Sequence, residues 1–178
     1  MDEATQATLE VVLGRLEAGD IEHVVVATTS GETGVRFAEA LAEVDTRVVC
    51  VTHHVGFKGE DIDQLEPAHR DRLEQLGAHV VTAGHALSGV GRSISKQFGG
   101  VTPTEIVAHT LRLFGQGMKV CVECAVMAAD AGAIPTDRPI LAVGGTGRGA
   151  DTAVVLRPAH MNAFFELRVR EILCFPGG

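Results

Sequence analysis

The sequence predicts an α/β fold on a mainly parallel sheet, in a single domain spanning residues 1–178. Three observations point there. Short β-branched runs alternate with amphipathic helical stretches along most of the chain. The runs are apolar throughout, as strands covered by helices on both faces must be. Polar, glycine-rich segments follow the ends of these strands.

Leu9, Val12, Leu13 and Leu16 recur at helical spacing, and Gly19 follows as a stop. Residues 23–28 (HVVVAT) read as a buried strand between Asp20 and Ser30. Val35, Ala38, Leu41 and Ala42 restore the helical period over 32–43. A second strand covers 47–52 (RVVCVT), a helix 62–76 ends at Gly77, and a third strand covers 79–83 (HVVTA). Arg92, Ser93, Ser95 and Lys96 form a polar connection, either a solvated turn or a loop closing over an anionic ligand.

Thr102-Pro103-Thr104-Glu105 opens a helix: Thr102 caps, Pro103 suits the first turn and Glu105 completes a capping box. Ile106, Val107, Leu111 and Phe114 form its stripe. Residues 120–131 are apolar nearly all round, which predicts a buried helix. Residues 139–144 (PILAVG) give a fourth strand. The link from Gly144 to Ala153 is too short for a parallel crossover, so 153–156 runs antiparallel, and an extended segment over 169–175 adds an edge.

Composition narrows the function. With 46% hydrophobic and 21% charged residues, long disorder is excluded. A net charge of −8 argues against nucleic-acid binding, which needs a positive surface. No apolar run reaches the ~18 residues of a membrane span. The acidic start MDEATQATLE is unlike a signal peptide, so the expected compartment is the cytoplasm, with the four cysteines reduced. Trp and Tyr are absent, leaving seven Phe for stacking.

In open parallel sheets ligands bind beyond the carboxyl ends of the strands, where strand order reverses. Four polar strand ends therefore share one rim: Thr28 to Gly34, Thr52 to Lys58, Gly84 to Gly89, and Gly144 to Asp151. In the first, Thr29, Ser30, Gly31, Glu32 and Thr33 offer backbone N–H groups, hydroxyls and a positive helix end, all suited to an anion. The plainer alternative is that Ser30 or Thr33 only caps its own helix. In the last, Gly145, Thr146, Gly147, Arg148, Gly149 and Asp151 fit neither the dinucleotide nor the P-loop pattern. Arg148 there suits a bidentate phosphate contact.

His53, His54 and His85 are candidates for acid/base work, ligand contact or structural hydrogen bonding. No helical zinc spacing occurs, so no metal is assigned. Cys121 and Cys124 have C-x-x-C spacing inside an apolar run, which favours packing over redox work. Glu123 between them needs a partner, either Lys119 one turn back or a group in the cleft.

The segments IEHVVVATTSGETG, VCVTHHVGF, HALSGVGRSISKQFGG, KVCVECAVMAADAG and AVGGTGRGADTAVVLRPAH resemble a family of stand-alone archaeal and bacterial proteins built like the pyruvate kinase C-terminal (alpha/beta) domain. The resemblance covers essentially the whole chain. It implies a three-layer α/β/α sandwich with strand order 3-2-1-4-5, the last antiparallel. It implies a phosphate at Ser30, Gly31 and Thr33, while the charge of Glu32 opposes a second phosphate and so a sugar bisphosphate. No counterpart of the kinase's catalytic barrel is present, so the chain is not expected to be a pyruvate kinase.

The same resemblance implies flavin mononucleotide (FMN), or a similar phosphorylated ring compound, as cofactor, with Phe57 and Leu87 covering the ring. Three readings follow. The first is a binder of a phosphorylated small molecule. The second is an enzyme using His53, His54 or His85 on a phosphorylated or flavin-linked substrate. The third is a regulatory module that self-assembles into a homo-oligomer.

Overall fold

Val24, Val25 and Val26 are fully buried, although neighbours in a strand face opposite ways. Both faces of the sheet must therefore be covered, and they are. The computed structural model describes residues 3–176. Its helices are α1 (Glu3–Leu16), α2 (Glu32–Ala40), α3 (Pro67–Gln75), α4 (Gly89–Phe98), α5 (Pro103–Leu111) and α6 (Gln116–Asp130). Its strands are β1 (His23–Ala27), β2 (Arg47–His53), β3 (His79–Ala83), β4 (Ile140–Gly144), β5 (Thr152–Arg157) and β6 (Arg168–Cys174).

On one face Val24, Val26, Leu141 and Val143 meet Leu9 and Val12 of α1, Phe37 of α2 and Leu73 of α3. On the other, Val25, Val49, Val51, Ile140 and Ala142 meet Met118, Cys121, Ala125 and Ala128 of α6. This is the three-layer sandwich. The sheet order is β3-β2-β1-β4-β5-β6. The first four strands are parallel and the last two pairings antiparallel. The order thus extends the implied five strands by β6, which pairs antiparallel with β5 and so points the same way as β1 to β4; β5 alone runs against the rest. Strand order reverses between β1 and β4, which places their loops side by side.

The structure moves four boundaries. The helix predicted over 62–76 begins only at Pro67, because a residue before proline is driven out of the helical region; Glu66 has φ −64° and ψ 133°. The helix predicted to residue 43 ends at Ala40. The buried helix starts four residues early, at Gln116. The polar stretch 92–96 lies within the helix α4 rather than in a turn. Glycines at 89 and 91, poor helix formers, mask there a stripe of Val90, Ile94 and Phe98 at four-residue spacing.

The predicted capping box forms, with the Glu105 carboxylate accepting the Thr102 N–H and hydroxyl, each at 2.8 Å. Among the described residues no helix is long and apolar enough to cross a membrane.

Candidate functional site

Beyond the carboxyl ends of β1, β2, β3 and β4 lies a cleft of about 930 Å³. Its first wall is the β1–α2 loop. Gly31, the N-cap of α2, is left-handed (φ 101°) and has no side chain to cap with, and the side chain that reaches the first turn of that helix is Thr28, not Ser30 or Thr33. Ser30 and Thr33 are therefore not spent on capping, and both line the cleft. Thr28 Oγ1 accepts the Gly34 N–H at 3.2 Å, and the Thr52 hydroxyl donates to the Thr29 carbonyl at 3.1 Å.

The Ser30 carbonyl is held by α3. The Glu66 N–H donates to it at 3.0 Å and His69 Nδ1 at 2.8 Å. Gly31 sits under this clamp and does not line the cleft: a Cβ there would come within 2.7 Å of Leu65 Cδ1.

The opposite wall is the β4–β5 loop. Gly147 and Gly149 take positive φ (81° and 70°), and a Cβ on Gly145 would lie 2.5 Å from the Gly149 carbonyl. Glycine is required for so tight a fold. Gly145, Gly147, Arg148 and Gly149 line the cleft. Thr146 and Asp151 do not; they brace the loop from within. Asp151 accepts the Thr146 hydroxyl at 2.8 Å and the Thr152 hydroxyl at 2.7 Å. From behind, buried Thr5 accepts the Ala150 N–H at 2.9 Å and Thr8 donates to the Ala150 carbonyl at 3.3 Å.

Four rings gather on the β2 and β3 loops. His53 lies 4.2 Å from Phe57 and 4.9 Å from His85, and Phe57 lies 4.8 Å from His85. His54 touches Phe57 and His85 edge-on from outside, and its Nδ1 donates to the Val55 carbonyl. It does not line the cleft, whereas His53, Phe57 and His85 do. His53 Nδ1 donates to Gln64 Oε1 at 2.9 Å, which leaves Nε2 as the free ring nitrogen. Leu87 is buried beneath the rim rather than over it.

The floor is α6. Glu123 pairs with Lys119, both buried, and its other oxygen accepts the Leu87 N–H at 2.9 Å. Both expectations for Glu123 are thus met, since it also lines the cleft. Cys124 lines it too, but burial pushes its thiol up to about 12, and Cys121 is likewise raised by burial. Neither is a thiolate at neutral pH. Among the described residues no three His, Cys, Asp or Glu side chains are grouped to hold a metal ion.

Burial lowers the His85 ring from 6.5 to about 4, with Glu123 opposing that shift. An unfolded histidine takes its proton near pH 6.5, so between 6.5 and 4 the unfolded chain binds more protons than the folded one. Stability is expected to hold above about pH 6.5 and to fall as the pH drops toward 4. Urea midpoints of the wild type and His85→Gln across that window check this. Identical losses in the two proteins would refute it.

Several lining groups lay outside the sequence reading: Asp63, Gln64, Glu66, His69 and Gln116. All but Gln116 reach the cleft because the 54–66 loop and the first turn of α3 fold over the β1 end, a contact across some forty residues.

The family model for the pyruvate kinase alpha/beta domain matches residues 6–156. Two solved structures of O-ureido-L-serine synthase, one a point variant bound to O-ureido-L-serine, are also similar at 19% identity. Each match covers 72% of this chain and 47% or 48% of the synthase chain, with TM-scores of 0.36 and 0.35. This chain spans about half the synthase's length, and likenesses that weak carry no weight for it.

Proposed function

The chain belongs to the family of the pyruvate kinase alpha/beta domain, and from that premise we propose that it binds a phosphorylated ring compound of the FMN type at the β1–β4 switch point. The observation that carries the reading is the charge inventory of the cleft. Its carboxylates are matched: Glu32 by Arg36, Asp63 by Arg70 and Glu123 by Lys119, with Glu66 3.6 Å from the His69 ring. The lining cations Lys58, Arg92 and Arg148 make no ion pair among the described residues. In a chain of net charge −8, three unmatched cations around one cleft select an anion.

The phosphate sits at the α2 N-terminus, taking the Ser30 and Thr33 hydroxyls, with Arg148 across from it. His53, Phe57 and His85 form the wall against which the ring lies. The pairing of Glu32 with Arg36 weakens its opposition to that phosphate. A bound flavin would supply hydride or electron transfer; the protein positions and shields it.

A flavin band in the visible spectrum of the purified protein is the first readout, and with no Trp or Tyr in the chain the flavin's ultraviolet bands are unobscured as well. Titration with FMN follows. Arg148→Ala and the double Ser30→Ala, Thr33→Ala variant should each weaken binding about 10- to 100-fold. Unchanged affinity in both, or no binding by the wild type, overturns the site.

A second reading, catalysis on the bound compound, is favoured by one observation. His53 is held in one tautomer by Gln64 with Nε2 free, the arrangement a general acid/base needs. Turnover lost in His53→Asn with ligand affinity retained would establish it.

A further inference from the structure

α4 buries none of its side chains, yet it is amphipathic. Val90, Ile94 and Phe98, one turn apart, are 77%, 47% and 80% exposed. The opposite edge of the helix already has its partner. A Cβ on Gly91 would lie 3.0 Å from Thr102 Oγ1, and the Ser95 hydroxyl donates to Glu105 at 2.8 Å. The apolar stripe is thus left outward by a helix seated through its small residues.

Three residues beyond Phe98 the surface continues as a groove of about 340 Å³ on α5, lined by Val101, Ile106 and Leu113 with His109 and Thr110. Val101 and Leu113 are 67% and 81% exposed. Six large apolar side chains this open present on the order of 700 Å², close to the ~800 Å² that one partner gives to a standard interface. Monomers rarely leave so large an apolar face in water.

We infer that the α4–α5 face is a self-association surface, on which the Val90–Ile94–Phe98 stripe of one copy docks in the Val101–Ile106–Leu113 groove of a second copy of this chain. The patch carries both a ridge and a groove, as a two-fold interface requires, since each copy must offer both halves. Charge allows it. Residues 89–113 hold Arg92, Lys96 and Arg112 against a single carboxylate, Glu105, which is engaged by Thr102 and Ser95. Here two chains of net charge −8 meet without opposing acidic side chains. Such docking is independent of what the cleft binds.

Sedimentation equilibrium of the full chain tests it. The wild type should be a dimer at micromolar concentration. Phe98→Glu and Leu113→Glu should each raise the dissociation constant at least tenfold, with far-UV circular dichroism unchanged because both side chains are exposed. Val11→Glu, on α1 in the opposite layer, should leave the dimer intact. A wild type that is monomeric at every concentration overturns the inference, whatever else that face captures. So does a dimer that survives both substitutions.

Discussion

Replacing Glu123 by alanine is expected to lower the unfolding free energy by about 3–5 kcal/mol, which would make it among the most damaging single changes in the chain. The pair it forms with Lys119 is nearly sealed, with side chains 4% and 6% exposed. Removing the carboxylate leaves an ammonium group in an apolar layer of Met118, Val122 and Met127, where solvation cannot compensate. It also strips the Leu87 N–H of its acceptor, adding the cost of an unsatisfied buried donor. The pair itself is not what stabilises the fold; its desolvation offsets most of its attraction. The double variant Lys119→Met, Glu123→Gln keeps an acceptor for Leu87 and removes the orphaned charge. It should recover most of the loss. Urea unfolding of the two variants gives the comparison, and a single-variant loss below about 1 kcal/mol would mean that water reaches Lys119.

The two layers of the core were legible because burial on both faces leaves a continuous apolar run, as in residues 23–28 and 139–144, and a short link forces β5 to turn back. The rim was legible for a related reason: loops after parallel strands must all fall on one side of the sheet. Contacts set by tertiary packing were not legible. Nothing in local sequence links Ser30 to His69, or Thr5 and Thr8 to Ala150, although these bonds hold the two loops that face each other across the cleft in shape. Leu87 shows the converse. The family resemblance implies that it covers a ring, but its backbone is drawn down by Glu123 and the side chain is buried with it. α4 was missed because two glycines lower helical propensity, and its seat on α5 depends on one of them, Gly91.

Gly117→Ala should destabilise the protein by about 3 kcal/mol, the upper end of what overpacking costs, although alanine is the better helix former. The helix α6 crosses the start of β5 at this point. A Cβ on Gly117 would overlap Thr152 Oγ1 and Asp151 Oδ1 and lie 2.6 Å from Thr152 Cβ. Neither neighbour can yield easily. Thr152 is fully buried and paired with Gly144 of β4, while Asp151 is fixed by the hydroxyls of Thr146 and Thr152. The first turn of α6 must then lift, carrying Gln116 away from the cleft and loosening the loop that presents Arg148. Loss of stability and weaker FMN binding should therefore appear together. Gly14→Ala is the natural control: it lies within α1, a Cβ there meets nothing within 4 Å, and it should gain about 0.5–1 kcal/mol from helix propensity alone. If both substitutions stabilise the fold to the same extent, α6 does not approach β5 as closely as the packing requires.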